Sequence, residues 1–128
     1  MSRLIQILFA LVFSLPLTAA EMEHTKDSID QVKAAIHAGT AIIIDVREQS
    51  EWNDGHLQAA TLVPLSLLTK EGSEIPASLP KDKPIYLHCK SGGRSLKAAE
   101  ILKAKGYDAR PLSEGYQQLV QDGLEKSP

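Results

Sequence analysis

A chain of 128 residues with 14 Lys and Arg against 16 Asp and Glu, and 5% aromatic residues, has room for one compact domain with one core. Its slightly negative balance, with no Lys/Arg-rich block, gives nucleic-acid binding no support. There is one cysteine, Cys89, so no disulfide closes within the chain.

In chain order, residues 1–20 read as an address. Arg3 precedes an apolar run from Leu4 to Leu15, Pro16 breaks it, and Thr18 and Ala20 place small residues before a cut. That pattern predicts a cleaved secretory signal and a periplasmic protein. The apolar run falls short of the roughly 20 residues that span a bilayer, so no stable membrane insertion is expected. In an exported protein a lone free thiol is either buried and inert or kept for its chemistry. Residues 21–27, "EMEHTKD", read as a polar leader before a domain over 28–128.

Ser28 and Gln31 form a capping-box pattern; Ile29, Val32, Ala35 and Ile36 then recur at helical spacing, and Gly39 is placed as a stop. "AIIIDV" is a continuous apolar run before an acid and predicts a strand buried on both faces of a parallel sheet. "REQSEWNDGH" is charged and turn-rich. "TLVP" predicts a short strand closed by Pro64, and "LSLLTKEGSEIPASLPKDKP" reads mostly as a long connection. "IYLHC" is a second buried strand and "GRSLKAAEILKAKG" a helix ending at Gly106. "YDARPL" and "GYQQLVQDGL" suit a last short strand and helix. Alternating strands and helices predict a single α/β domain, a central, mainly parallel sheet flanked by helices. Reactive sites in such sheets lie at the carboxyl ends of strands, and Cys89 is at one.

The stretch "CKSGGR" has the means to hold an anion. Gly92 and Gly93 permit positive φ, so the amides of residues 90–94 can converge on one point. A helix starting near Arg94 or Ser95 adds unpaired amides and the positive end of its dipole. Lys90 and Arg94 bring charge, whereas Lys97 reads as a solvated surface charge. Thiols in such settings fall from about 8.5 to roughly 3.5–7.5 in pKa, so Cys89 is expected to be largely thiolate at neutral pH. His88 alternates with Cys89 and is expected to face the other way, into the core. Cys89 through Arg94 is a ring of six residues, one fewer than the phosphate loop of cysteine phosphatases, and suits a smaller guest such as a sulfur atom attached to the cysteine.

These residues resemble the rhodanese family of sulfurtransferases. Its active loop is matched by Cys89-Lys90-Ser91-Gly92-Gly93-Arg94. A second pattern is matched by Asp45, Val46, Arg47, Glu48, Glu51, Trp52, Gly55, His56, Leu57, Ala60 and Pro64. A third is matched by Gly106, Tyr107, Leu112, Gly115 and Tyr116. The likeness runs over residues 28–121 and, with the export signal, is similar to the small periplasmic rhodaneses of the phage-shock protein E kind. Ala59 and Glu114 stand where the family often has glycine. The resemblance implies a thiosulfate sulfurtransferase: Cys89 takes sulfur from a donor such as thiosulfate, becomes a persulfide, and passes the sulfur to cyanide or a thiol. Lys90, Ser91, Gly92, Gly93 and Arg94 would bind the anion. Asp45 and Arg47, after a buried strand, are read as structural, pinning loops through an ion pair, with Trp52 and His56 packing the turn. No metal or organic cofactor is implied, and the His, Asp and Glu residues lack tight zinc-ligand spacing. A persulfide carrier without turnover, a phosphatase or arsenate-reductase-like enzyme, and an inert interaction domain are the other readings. Carrier and enzyme share the loading step, and no oligomeric state is indicated.

Overall fold

A computed structural model describes residues 21–128; the expected signal over residues 1–20 lies outside the described residues. Helix α1 (Ile29–His37) begins at a complete capping box, with Ser28 accepting from the Gln31 amide and the Gln31 side chain accepting from the Ser28 amide. Strand β1 (Ile42–Asp45), strand β2 (Ala60–Leu62), strand β3 (Ile85–His88) and strand β4 (Ala109–Pro111) form one parallel sheet in the order β2-β1-β3-β4. Helices α2 (Gln49–Asp54), α3 (Leu65–Thr69), α4 (Gly93–Ala104) and α5 (Tyr116–Gln121) complete the domain.

Two stretches read as irregular are helical in part. The turn-rich segment holds α2, whose first amides are satisfied when Glu48 and Glu51 cap each other's backbone. A glutamate in the capping position is uncommon, which hid the helix. The long connection opens with α3, which buries Leu68 against the core. The strand expected in "TLVP" begins one residue earlier and ends at Leu62.

The two central strands explain the layers. Ile43 pairs with Tyr86 and Ile44 with Leu87, and alternation sends each pair to opposite faces. Ile44, Leu87 and Cys89 pack with Ala98, Ala99 and Leu102 of α4 on one face. Ile43 and Tyr86 pack with Val32 of α1 and Leu119 of α5 on the other. His88 shares a register pair with Asp45, and both side chains are fully buried.

Residues 22–27 are tied to this domain. Met22 packs against the core, the Thr25 amide donates to the Pro111 carbonyl, and Asp27 accepts from Tyr86 Oη at 2.7 Å and from Arg110 at 2.9 Å. Among the described residues no helix is long and apolar enough to cross a membrane.

Candidate active site

Cys89 leaves the end of β3 and is 1% exposed. The chain then reverses into α4 at Gly92, whose φ of +95° lies in the left-handed region that favours glycine. The turn aims the Gly92 amide at Cys89 Sγ, 3.0 Å away. Within this loop positive φ is confined to Gly92, however; Gly93 is already the first residue of α4. A helix start leaves its first amides unpaired, and the loop points them at the sulfur. Burial works to raise the Cys89 thiol, but the amides of Ser95, Ser91, Gly92 and Arg94 outweigh it and hold the pKa below its usual value of 9.0. The protein therefore favours an anion on this sulfur through backbone donors.

Several residues brace the loop from outside. Ser95 Oγ donates to the Gly92 carbonyl at 2.8 Å and lies 3.1 Å from the Leu112 carbonyl. His24 Nε2 is 2.8 Å from the same Gly92 oxygen. The Tyr116 amide donates to the Cys89 carbonyl at 2.9 Å. Gly115 passes so close that an added Cβ would lie 1.8 Å from the Lys90 oxygen, which requires glycine there. Sequence reasoning placed Gly115 and Tyr116 only by family likeness and missed Ser95 and His24. For Ser95 a signal existed, since a serine three residues after the turn glycine can reach back to that glycine's carbonyl. For His24 there was none.

Lys90 and Ser91 are exposed and line a cleft of about 420 Å³ together with Arg47, Glu51, Asp54, Gly55, Tyr116 and Gln117. Arg94 is not a free cation over the loop. Its guanidinium makes a two-pronged ion pair with Glu51 of α2, at 2.5 and 2.8 Å. That contact is the main cause holding the Glu51 carboxyl well below its usual 4.5, at about 2. Lys97 projects outward beside Glu100, as a surface charge does.

Asp45 and Arg47 form the expected pair. Asp45 accepts from the Arg47 amide, Nε and Nη2 at 2.8–3.0 Å, and Nη2 also donates to the Gly55 carbonyl. Arg47 also lies over the Tyr116 ring, 4.3 Å from its centroid, so the pair joins the turn after β1 to α5. Trp52 and His56 stack at 3.6 Å. His88 Nε2 sits 3.7 Å from Asp45, and burial holds the imidazole pKa below its usual 6.5. Among the described residues, no three His, Cys, Asp or Glu side chains gather as a metal-holding group.

The family profile described as "Rhodanese-like domain" matches residues 28–122. The chain belongs to the rhodanese family. It is similar to "Uncharacterized protein YqhL" of Bacillus subtilis (strain 168), with 42% identity over 52% of this chain and 49% of that protein. It is similar to "Thiosulfate sulfurtransferase 18" of Arabidopsis thaliana, with 34% identity over 69% of this chain and 72% of that one. Among solved structures, the rhodanese-like domain protein from Staphylococcus aureus superposes with a TM-score of 0.61 at 30% identity, covering 76% of this chain and 92% of that one. The chain spans about half of YqhL and only 17–18% of longer sulfurtransferase relatives. A rhodanese-like domain whose relatives carry sulfurtransferase names supports sulfur transfer in general.

Proposed function

We propose that this rhodanese domain moves sulfane sulfur from a small anionic donor, such as thiosulfate, through a persulfide on Cys89 to cyanide or a thiol. The observation that carries the reading is Cys89 Sγ accepting from the Gly92 amide at 3.0 Å, with the amides of Ser91, Arg94 and Ser95 also favouring the anion, at a ring of six residues that runs from Cys89 to Arg94.

In the first step the Cys89 thiolate attacks the outer sulfur of thiosulfate. A new S–S bond forms at Cys89, the donor's S–S bond breaks, and sulfite leaves with the electron pair. In the second step the acceptor attacks the outer persulfide sulfur, and Cys89 leaves again as thiolate. Each step places negative charge on sulfur at the ring centre, where fixed amides stabilise it without reorganising. Splitting the transfer in two predicts ping-pong kinetics. The short ring counts against a phosphoryl guest. Lys90, on the cleft wall, supplies positive charge toward the donor; Arg47 is taken up by Asp45, and Arg94 contributes only in competition with Glu51.

That competition favours a second reading, a persulfide carrier that shares the loading step but turns over poorly with small anions and hands its sulfur to a protein partner. An arginine already neutralised by Glu51 attracts a free dianion less strongly. Export to the periplasm rests on residues 1–20 and belongs to the same proposal.

The test is the intact mass of the reduced protein after brief thiosulfate treatment and again after cyanide. A gain of one sulfur atom, removed by cyanide over many cycles and absent in Cys89→Ser, supports the transferase. A gain that cyanide barely removes supports the carrier. No gain on folded, reduced protein overturns the thiosulfate reading.

A further inference from the structure

The Gly92 carbonyl is held by two donors from outside the ring: Ser95 Oγ, three residues along, and His24 Nε2, 68 residues upstream, each at 2.8 Å. A carbonyl only accepts, so His24 carries its proton on Nε2. The ring is brought there by its own segment, since Thr25 pairs with Pro111 at the end of β4 and Met22 packs on the core. A Cβ at Gly92 would lie 3.1 Å from His24 Nε2 and 2.9 Å from the Ser113 oxygen, so the loop and the N-terminal segment meet in contact.

The held oxygen belongs to the peptide joining Gly92 to Gly93. With glycine on both sides, no Cβ opposes rotation of this peptide unit. Across a trans peptide the C=O and N–H point in opposite directions. Turning the Gly92 oxygen outward therefore turns the Gly93 amide, the first of α4, back toward the ring. In a flipped peptide the oxygen would instead face the sulfur anion.

We propose that His24 is a positioning residue for sulfur transfer: its Nε2–H locks the Gly92–Gly93 peptide with the carbonyl turned away from the sulfur of Cys89. The proposal rests on the sulfur-transfer reading for its role but not for its geometry. It makes the segment before α1 a working part of the site.

Three substitutions separate donation from mere packing. The Gln side-chain amide can place an N–H near the position of His Nε2, while Glu has the same shape without a donor. Losing one such hydrogen bond predicts that His24→Ala loads sulfur from limiting thiosulfate about three- to tenfold more slowly, with its melting temperature little changed. His24→Gln stays within about twofold of the parent, and His24→Glu is at least as slow as His24→Ala. Equal loading by the Gln and Glu variants, or parental loading by His24→Ala, overturns the proposal. A second readout needs no sulfur chemistry: the pH dependence of iodoacetamide alkylation at Cys89, the only cysteine. Its midpoint rises in the Ala and Glu variants and stays in place in the Gln variant. If the parent protein does not load sulfur, the thiosulfate reading fails and this alkylation series still decides for or against His24.

Discussion

The two turns that follow the central strands are built on opposite plans. After β1, the chain from Asp45 to His56 is held by side chains: the buried Asp45–Arg47 pair, the Glu48–Glu51 cap and the Trp52–His56 stack. After β3, the chain from Cys89 to Ser95 is held largely through its backbone, with amides aimed inward at the sulfur and carbonyls gripped from outside. The difference follows from what each turn does. A loop that stabilises an anion uses amides, which keep their dipoles fixed. The neighbouring turn needs rigidity, and the buried Asp45–Arg47 hydrogen bonds supply it, while its partly exposed Glu51 restrains Arg94. The reactive turn is thus sensitive to backbone displacement and the supporting turn to loss of charge pairing.

The largest expected effect breaks the supporting turn. Asp45→Ala leaves the Arg47 guanidinium, 5% exposed, without its carboxylate. Removing one partner of a buried pair costs about 3–5 kcal/mol, read as a lowered midpoint in urea unfolding. If the midpoint stays within error, the pair is not what holds this turn.

Gly115→Ala attacks the reactive turn instead. The new Cβ would sit 1.8 Å from the Lys90 carbonyl, so the start of α5 or the loop must move. Overpacking of this kind costs about 1–3 kcal/mol, less than the Asp45 change. Sulfur loading is expected to fall about 100-fold, because displacement of a reacting group by about 1 Å is enough to do so. Should stability collapse while loading by the folded fraction is normal, the contrast between the turns is wrong.

The smallest effect comes from the link between the two turns. Glu51→Gln changes neutral-pH stability by less than about 1 kcal/mol, since both partners are near one-third exposed. Because folding lowers the Glu51 pKa, its contribution is present above pH 4.5 and lost as pH falls toward about 2. Melting curves of parent and variant should therefore converge across that window. Freed of its carboxylate, Arg94 should lower the KM for thiosulfate about two- to fivefold. An unchanged KM would remove Arg94 from donor capture.

Much of the reactive turn was legible locally because strand, glycine turn and helix start are consecutive. The apolar run before Cys89 predicts β3, and the helical spacing after Arg94 predicts α4. The alternation of His88 with Cys89 correctly places His88 in the core. The adjacent Asp45 and Arg47 were readable as a pair for the same reason. Helix α2 was missed although both of its capping glutamates are in the sequence, because the flanking charges read as turn.

By itself, the sequence determined the four strands and helices α1, α4 and α5, the ring of six residues and the placement of the lone thiol at a strand end. These follow from periodicity and from neighbours a few bonds apart. Only the tertiary structure decided that Arg94 is occupied by Glu51, 43 residues away, and that His24 grips Gly92 across 68. It also set Gly115 against Lys90. Such contacts depend on how the parallel crossovers and the N-terminal segment converge at one end of the sheet, and no local pattern of residues carries that geometry.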